Sequence, residues 1–215
     1  METIINESLA ELTGIMFGDG CLSRSGGKYL VYICGHKIDD FEYHSKIIKT
    51  LFVKIFKKPT NVCFKRNENT IFIRFSDKNI FETFKSIGVP VGKKYEYLVI
   101  PDKFEDLNLF MAFLRGLFDT DGCIILSKQH RTIHYYPRIE ITSKSENFLI
   151  SILKRLQNEG FYGSVSNKGG SYRLEFPGIK NLMLWTKIIG VSNPKHVEKF
   201  ERILKIQKLE NYIND

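Results

Sequence analysis

The chain has 215 residues, 43% hydrophobic and 26% charged, the balance of an ordinary globular protein with ample core. Its formal net charge of +8 and pI near 9.2 point to a polyanionic partner, nucleic acid or a membrane surface. Composition and pattern exclude three classes: Cys21, Cys34, Cys63 and Cys123 form no C-x-x-C pair that would indicate a zinc site or disulfide framework, no apolar run nears the length of a membrane span, and the N-terminus with Glu2 and Glu7 lacks a signal-peptide pattern. The expectation is a soluble intracellular protein, cytoplasmic, or organellar if the gene is organelle-encoded.

A capping box of Ser8 and Glu11 predicts a first helix over Ser8 to Gly18, broken by Gly20. Residues 21–35 are β-prone around Ser25-Gly26-Gly27 and predict a hairpin. Asp39 and Glu42 predict a second cap, opening a helix whose apolar positions run Phe41, Ile47, Ile48, Leu51, Phe52, Ile55. A second hairpin over residues 61–76 turns at Asn67-Glu68-Asn69, and a short helix over 79–87 stops at Gly88-Val89-Pro90. Residues 89–106 carry two prolines and no period, and read as a linker between residues 1–88 and 107–215. The order then repeats. A helix covers 107–120, strands run from Cys123 to Thr142 with a polar turn at 129–132, and a helix covers 145–158. A hairpin turns at Lys168-Gly169-Gly170, a short helix spans 180–189, and a terminal helix opens at Asn193-Pro194.

The repetition has a fixed offset. Asp19 recurs as Asp121, Lys78-Asn79 as Lys180-Asn181, and Ile87-Gly88-Val89 as Ile189-Gly190-Val191, each 102 positions later. One offset shared by three landmarks marks a tandem duplication. The reading is an α+β protein of two pseudo-symmetric repeats, each α-β-β-α-β-β-α.

The repeats begin with two similar stretches, Leu12-Thr13-Gly14-Ile15-Met16-Phe17-Gly18-Asp19-Gly20 and Leu114-Arg115-Gly116-Leu117-Phe118-Asp119-Thr120-Asp121-Gly122. Gly14 with Gly18, and Gly116 with Thr120, fall four apart and so on one helical stripe. Stripes without side chains allow close approach of two helices, which would set Asp19 beside Asp121. Each acid sits at the negative end of a helix dipole, and the pair repels itself. Such an arrangement needs a cation, and hard oxygen ligands suit Mg²⁺ or Mn²⁺, which can support phosphodiester hydrolysis.

Both stretches resemble the LAGLIDADG signature of homing endonucleases, and element order and duplication extend the resemblance over about residues 8–200. It implies a monomer whose two signature helices form the central interface beneath two four-stranded, antiparallel, saddle-like sheets. It implies Asp19 and Asp121 as catalytic metal ligands, with the carbonyls of Gly18 and Thr120 completing the set. Position six holds Phe17 in the first motif and Asp119 in the second, so Asp119 is not expected to be essential. The family's basic active-site groups map by position to Lys78 and Lys180 after the last strand of each half, and to Lys37 and Lys144 at the end of the second strand; His36 reads as polar surface. The implied DNA contacts come from the strands: Arg24, Lys28, Tyr32, Lys65, Arg66 and Arg74 in one half, and Lys128, Arg131, His134, Arg138 and Arg173 in the other, with Tyr29, His130, Tyr136 and Tyr172 among them.

The resemblance thus implies a Mg²⁺- or Mn²⁺-dependent endonuclease of intron homing. It would cut one phosphodiester per strand of a long, asymmetric double-stranded DNA site, leaving short 3′ overhangs, with no membrane association and no obligate protein partner. Two readings on the same scaffold remain open: an intron RNA maturase and a non-cleaving DNA-binding protein. A self-splicing intein is disfavoured, because Met1 and Asn214-Asp215 stand where a nucleophile and a His-Asn pair would be needed.

Overall fold

The computed structural model describes residues 4–94, 98–128 and 134–213, with side chains as far as residue 205. The chain runs α1 (Glu7–Gly18), β1 (Gly20–Ser25), β2 (Lys28–His36), a π-helical segment Tyr43–Ile48 continuing into α2 (Lys49–Phe56), β3 (Val62–Phe64), β4 (Thr70–Ser76) and α3 (Lys78–Ile87). The second half follows as α4 (Leu107–Asp121), β5 (Gly122–Ser127), β6 (Tyr136–Ser143), α5 (Glu146–Asn158), β7 (Ser164–Asn167), β8 (Tyr172–Pro177), α6 (Ile179–Ile188) and α7 (Pro194–Ile213). Two antiparallel sheets result, ordered β1-β2-β4-β3 and β5-β6-β8-β7. The duplication therefore extends to the strand order and to the register, since Gly20 pairs with Ile33 where Gly122 pairs with Ile141.

Alternation along the strands divides each sheet into two faces. Leu22, Val31, Ile33, Ile71 and Ile73 bury one face of the first sheet under the helices, and Ile124, Ile139, Ile141, Leu174 and Phe176 do the same in the second. The opposite faces carry Cys21, Tyr32, Cys34, Phe72 and Arg74 in one half and Cys123, Arg138, Glu140, Thr142, Arg173 and Glu175 in the other. We refer to these as the outer faces.

The interface that joins the halves is α1 against α4. A Cβ placed on Gly14 would lie 2.0 Å from the Phe113 carbonyl oxygen, and one on Gly116 would lie 2.0 Å from the Glu11 carbonyl oxygen. The two glycines thus occupy equivalent places in each other's backbone, and no other residue allows the helices to come this close. Gly18 meets the Thr120 side chain in the same way, 1.9 Å from Oγ1. Flanking the stripe, Phe17 packs edge-on against Phe113 at 5.1 Å, and Arg115 closes an ion pair with buried Glu11 at 2.9 Å while donating to the Ile189 carbonyl.

Two local expectations are corrected. The N-cap of α1 is Asn6, whose Oδ1 accepts from the Leu9 N–H at 3.0 Å; Glu11 faces Arg115 instead of a capping serine. Asp39 caps nothing and pairs with His36, while buried Asp40 turns the chain by accepting from the His36 N–H at 2.8 Å. The residues read as a linker are packed: Val91 bridges to Leu22, the Gly92 N–H donates to the Leu22 carbonyl, and Leu98 and Phe104 are buried. The expected turn at 129–132 lies outside the described residues. Among those described, no helix is long and apolar enough to cross a membrane.

Gly116→Ala tests the interface. Alanine is the better helix former by about 1 kcal/mol, yet here its methyl has no room. The expected outcome is a net loss of about 2–3 kcal/mol of stability by overpacking, read as a lowered denaturant midpoint in chemical unfolding.

Candidate active site

Close approach of α1 and α4 brings both helices to an end at one point. Asp19 caps α1 and Asp121 is the last residue of α4, so both acids follow directly from the glycine stripe. Between them reaches a residue that the sequence reading left in the linker. The Lys94 ammonium donates to the carbonyls of Met16 (3.2 Å), Phe17 (3.0 Å) and Gly18, the unpaired acceptors of the last turn of α1. Lys94 faces both Asp19 and Asp121 electrostatically. Burial pulls its pKa below the ordinary lysine value while the two acids push it up.

The acids are held in a state that resists ionisation. Asp19 is pushed up to about 6, chiefly by burial and then by the charge of Asp40, with Lys94 and Lys195 opposing. Asp121 is pushed up to about 7, by the protein around its base and by the like charge of Asp19, with Lys94 opposing. Its side chain opens to solvent at the mouth of the site, so water moderates this crowding. The mouth is a cavity of about 630 Å³ whose lining includes Gly18, Cys21, Lys94, Asp121, Thr142 and Lys144. Cys21 and Thr142 belong to the outer faces, so Asp121, with the end of α1 at Gly18 beside it, opens on the same side as both of those faces.

A second layer supports the first across the halves. Asp40 accepts from the Lys195 ammonium at 2.6 Å and lies 3.4 Å from the Asn193 side-chain amide. Asn193 also donates to the Asp119 carbonyl at 3.1 Å, and the Asp119 carboxylate accepts from the Ser192 N–H at 2.7 Å. Asp119 thus fixes the turn that starts α7 through Oδ2, while its Oδ1 is buried without a hydrogen-bond partner among the described residues, and burial raises its pKa to about 7. Its counterpart Phe17 packs on Phe148 instead.

The other predicted residues separate into groups. Lys144 lines the cavity. Lys37 lies at the end of β2, its ammonium 5.7 Å from the Phe64 ring. Lys78 and Lys180 are not at the acids: Lys78 sits over Tyr29 at the far end of β2 from Asp19, and Lys180 lies beside Gly160 and Tyr162 at the far end of β6 from Asp121. Arg24 shares the helix-facing side with Leu22, stacking on Tyr29 at 4.6 Å and pairing with Glu82, so it does not belong to the outer face. Lys28, Tyr32 and Arg74 do belong to it, whereas Lys65 and Arg66 follow β3 in a turn where Lys65 pairs with Glu68. Lys128 and His134 flank the β5–β6 connection, and Arg138 and Arg173 stand on the second outer face, each ion-paired. Arg131 and His130 lie outside the described residues.

The missed groups are Lys94 and Lys195. A signal existed: 102 positions separate Lys93 from Lys195, so the repeat continues past Val89 and Val191 into a shared lysine-bearing segment.

Comparison with known proteins agrees with this architecture. Residues 109–204 match the family model of the LAGLIDADG-like domain. The fold matches I-DmoI in complex with DNA and calcium, at TM-score 0.64 and 17% identity over 91% of this chain and 97% of that one. It matches the LAGLIDADG meganuclease I-AabMI bound to uncleaved DNA, at 0.63 and 14% over 97% and 92%. Full-length WhiA from Thermatoga maritima matches at 0.60 and 22%, covering 97% of this chain and 65% of that one. Among curated proteins, an uncharacterized protein of Methanocaldococcus jannaschii is 22% identical over 78% of this chain, and the tRNA-splicing ligase RtcB of Pyrococcus abyssi is 25% identical over 92%. The chain spans 60% of the first relative's length and a quarter of the second's. Residues 109–204 are thus similar to the LAGLIDADG-like domain, and the chain as a whole has the two-repeat fold of the LAGLIDADG structures it matches.

The raised acids fix a pH dependence. Each binds its proton more tightly folded than unfolded, so the contribution of these two acids to metal-free stability is full at and below about pH 4 and is lost as pH rises through 6–7. Asp19→Asn removes one of the like charges. At pH 8 without divalent metal it should raise Tm by roughly 2–4 °C, the shift that about 1 kcal/mol gives a chain of this size, and the gain should vanish at pH 4. Scanning calorimetry at the two pH values checks both statements.

Proposed function

We propose that this chain is a divalent-metal-dependent endonuclease that cuts both strands of a long double-stranded DNA site. One observation carries the reading: two crowded carboxylates at paired helix ends, with an ammonium already gathered onto the neighbouring carbonyls, opening on the outer faces of two sheets in a basic protein. The Lys94 contacts mark an oxygen-lined cation site, and the donor set, all carboxylate and carbonyl, fits Mg²⁺ or Mn²⁺. Asp19 and Asp121, with the Gly18 and Thr120 carbonyls, would hold the metal. A metal bound there would polarise phosphate oxygens and lower the pKa of attacking water.

The rest falls to the chain's own residues. The α1–α4 contact holds the two carboxylates at one separation, so each repeat contributes one acid to a common centre. Lys94 and Lys144 bring positive charge to the cavity where the cut phosphodiester would gain negative charge. Lys195, held on Asp40, keeps the second layer charged without entering the cavity. Basic residues on the outer faces would supply phosphate contacts, and other side chains there the base contacts. Because the outer faces differ residue by residue, the site would be asymmetric.

The similar structures support this reading: I-DmoI is a homing endonuclease found in complex with DNA and with manganese, calcium or magnesium. The ligase match covers a quarter of that protein, and a reductase subunit alpha of Bacillus subtilis matches over a fifth of its length. Proteins of unlike activity share this one module, so it is the module that carries the function proposed. The likeness to WhiA favours one other reading, a DNA-binding protein that does not cleave.

Incubation with a randomised duplex library and Mg²⁺ separates these readings. The endonuclease reading predicts recovery of a discrete cut site, with Asp19→Asn or Asp121→Asn lowering cleavage roughly 100-fold or more while binding persists. Binding without cleavage in Mg²⁺ and Mn²⁺ would transfer the assignment to the non-cleaving reading, and selective retention of intron RNA to a maturase.

A further inference from the structure

The outer face of the second sheet carries a charge cluster with no counterpart in the first. Arg138 and Glu140 on β6 face Arg173 and Glu175 on β8, the two inner strands of that sheet. The equivalent positions of the first sheet, by register, hold Leu30 and Tyr32 on β2 and Phe72 and Arg74 on β4, with Tyr32 stacked on Phe72 at 5.4 Å.

The four charged groups are not equally satisfied. The Arg173 guanidinium donates to Glu140 Oε1 at 2.9 Å and lies 3.8 Å from Glu175. Arg138 is only loosely placed: 3.3 Å from Glu175 and 3.8 Å from Glu140, with its Nε–H buried and lacking any acceptor. The buried Nε–H is closed to an outside ligand, but the terminal Nη groups meet the carboxylates only at these longer distances, on a side chain 28% exposed, so they can take an acceptor from outside the chain. The cluster is neutral overall, and its two carboxylates would repel a phosphate, which makes it a poor phosphate clamp. The acceptor it fits is neutral and planar and offers two oxygen or nitrogen atoms side by side. In duplex DNA the major-groove edge of guanine, O6 with N7, has that form.

Resting on the nucleic-acid reading above, we propose that Arg138 reads a guanine in the half-site facing the second sheet, with Arg173, Glu140 and Glu175 positioning its guanidinium and excluding phosphate. Glu140 acts as a positioning residue, through Arg173. The first sheet would read its half-site through Tyr32, Phe72 and Arg74, by contact and stacking rather than by a charge array.

The test is selection from a randomised duplex library in Ca²⁺, scored by binding, with wild type, Arg138→Ala, Arg138→Gln, Glu140→Gln and Arg74→Ala compared. Arg138→Ala and Arg138→Gln are expected to lower the preference for guanine about tenfold or more at one position, while other positions keep theirs. Arg74→Ala should alter positions on the other side of the site's centre. Glu140→Gln should weaken discrimination at the Arg138 position while tightening binding to non-specific duplex, which a purely structural role would not do. An unchanged consensus in both Arg138 variants, or a uniform loss across all sequences with a smaller salt dependence, overturns the inference and leaves the DNA-binding reading standing. Failure of the folded wild-type protein to bind any duplex overturns both.

Discussion

Everything at the candidate site depends on how closely α1 and α4 approach. Gly14 and Gly116 sit against each other's helix backbone, where even a methyl group would collide with a carbonyl. Because the helices touch at that depth, they end together, and the residues that end them are Asp19 and Asp121. Two carboxylates crowded at the negative ends of two helices are an unfavourable state for a folded chain. The cost is visible in their raised pKa values and in the lysine drawn from a distant segment to the exposed carbonyls. An arrangement that strains stability and is repeated in both halves fits a group the fold holds for chemistry rather than for packing.

The halves are equivalent in topology and divergent in surface. Position six of the motifs shows how. Asp119 ties down the turn before α7, bringing Asn193 and Lys195 against Asp40 of the other half, whereas Phe17 fills an aromatic cluster with Phe113 and Phe148. The outer faces diverge further, one aromatic, the other an array of paired charges. A twofold frame with unlike surfaces suits a partner that is itself nearly twofold in backbone and asymmetric in sequence.

Much of this was legible in the sequence because the signals were periodic. The offset of 102 gave the duplication, and the glycine spacing gave the interface and both acids. What escaped depended on pairing that no period reveals. Lys94 lies in a segment whose order comes from a single bridge to β1 and a few buried side chains, so its pattern resembles a linker. Arg24 went to the wrong face because one residue of strand parity decides the matter. Lys78 and Lys180 are a matched pair, as the offset says, but an offset states equivalence and not location. The ion pairs of Arg138 and Arg173 escaped because Glu140 and Glu175 become their neighbours only once β6 and β8 are in register.

The central claim is that Asp19 and Asp121 form one cation site across the pseudo-twofold axis. Mn²⁺ binding, followed by electron paramagnetic resonance between pH 5 and 8 in the protein and in Asp121→Asn, tests it directly. Because both acids must lose their protons to bind metal, affinity should rise through pH 6–7 and be largely lost in the variant. Binding that is independent of pH, or undiminished in Asp121→Asn, would contradict it.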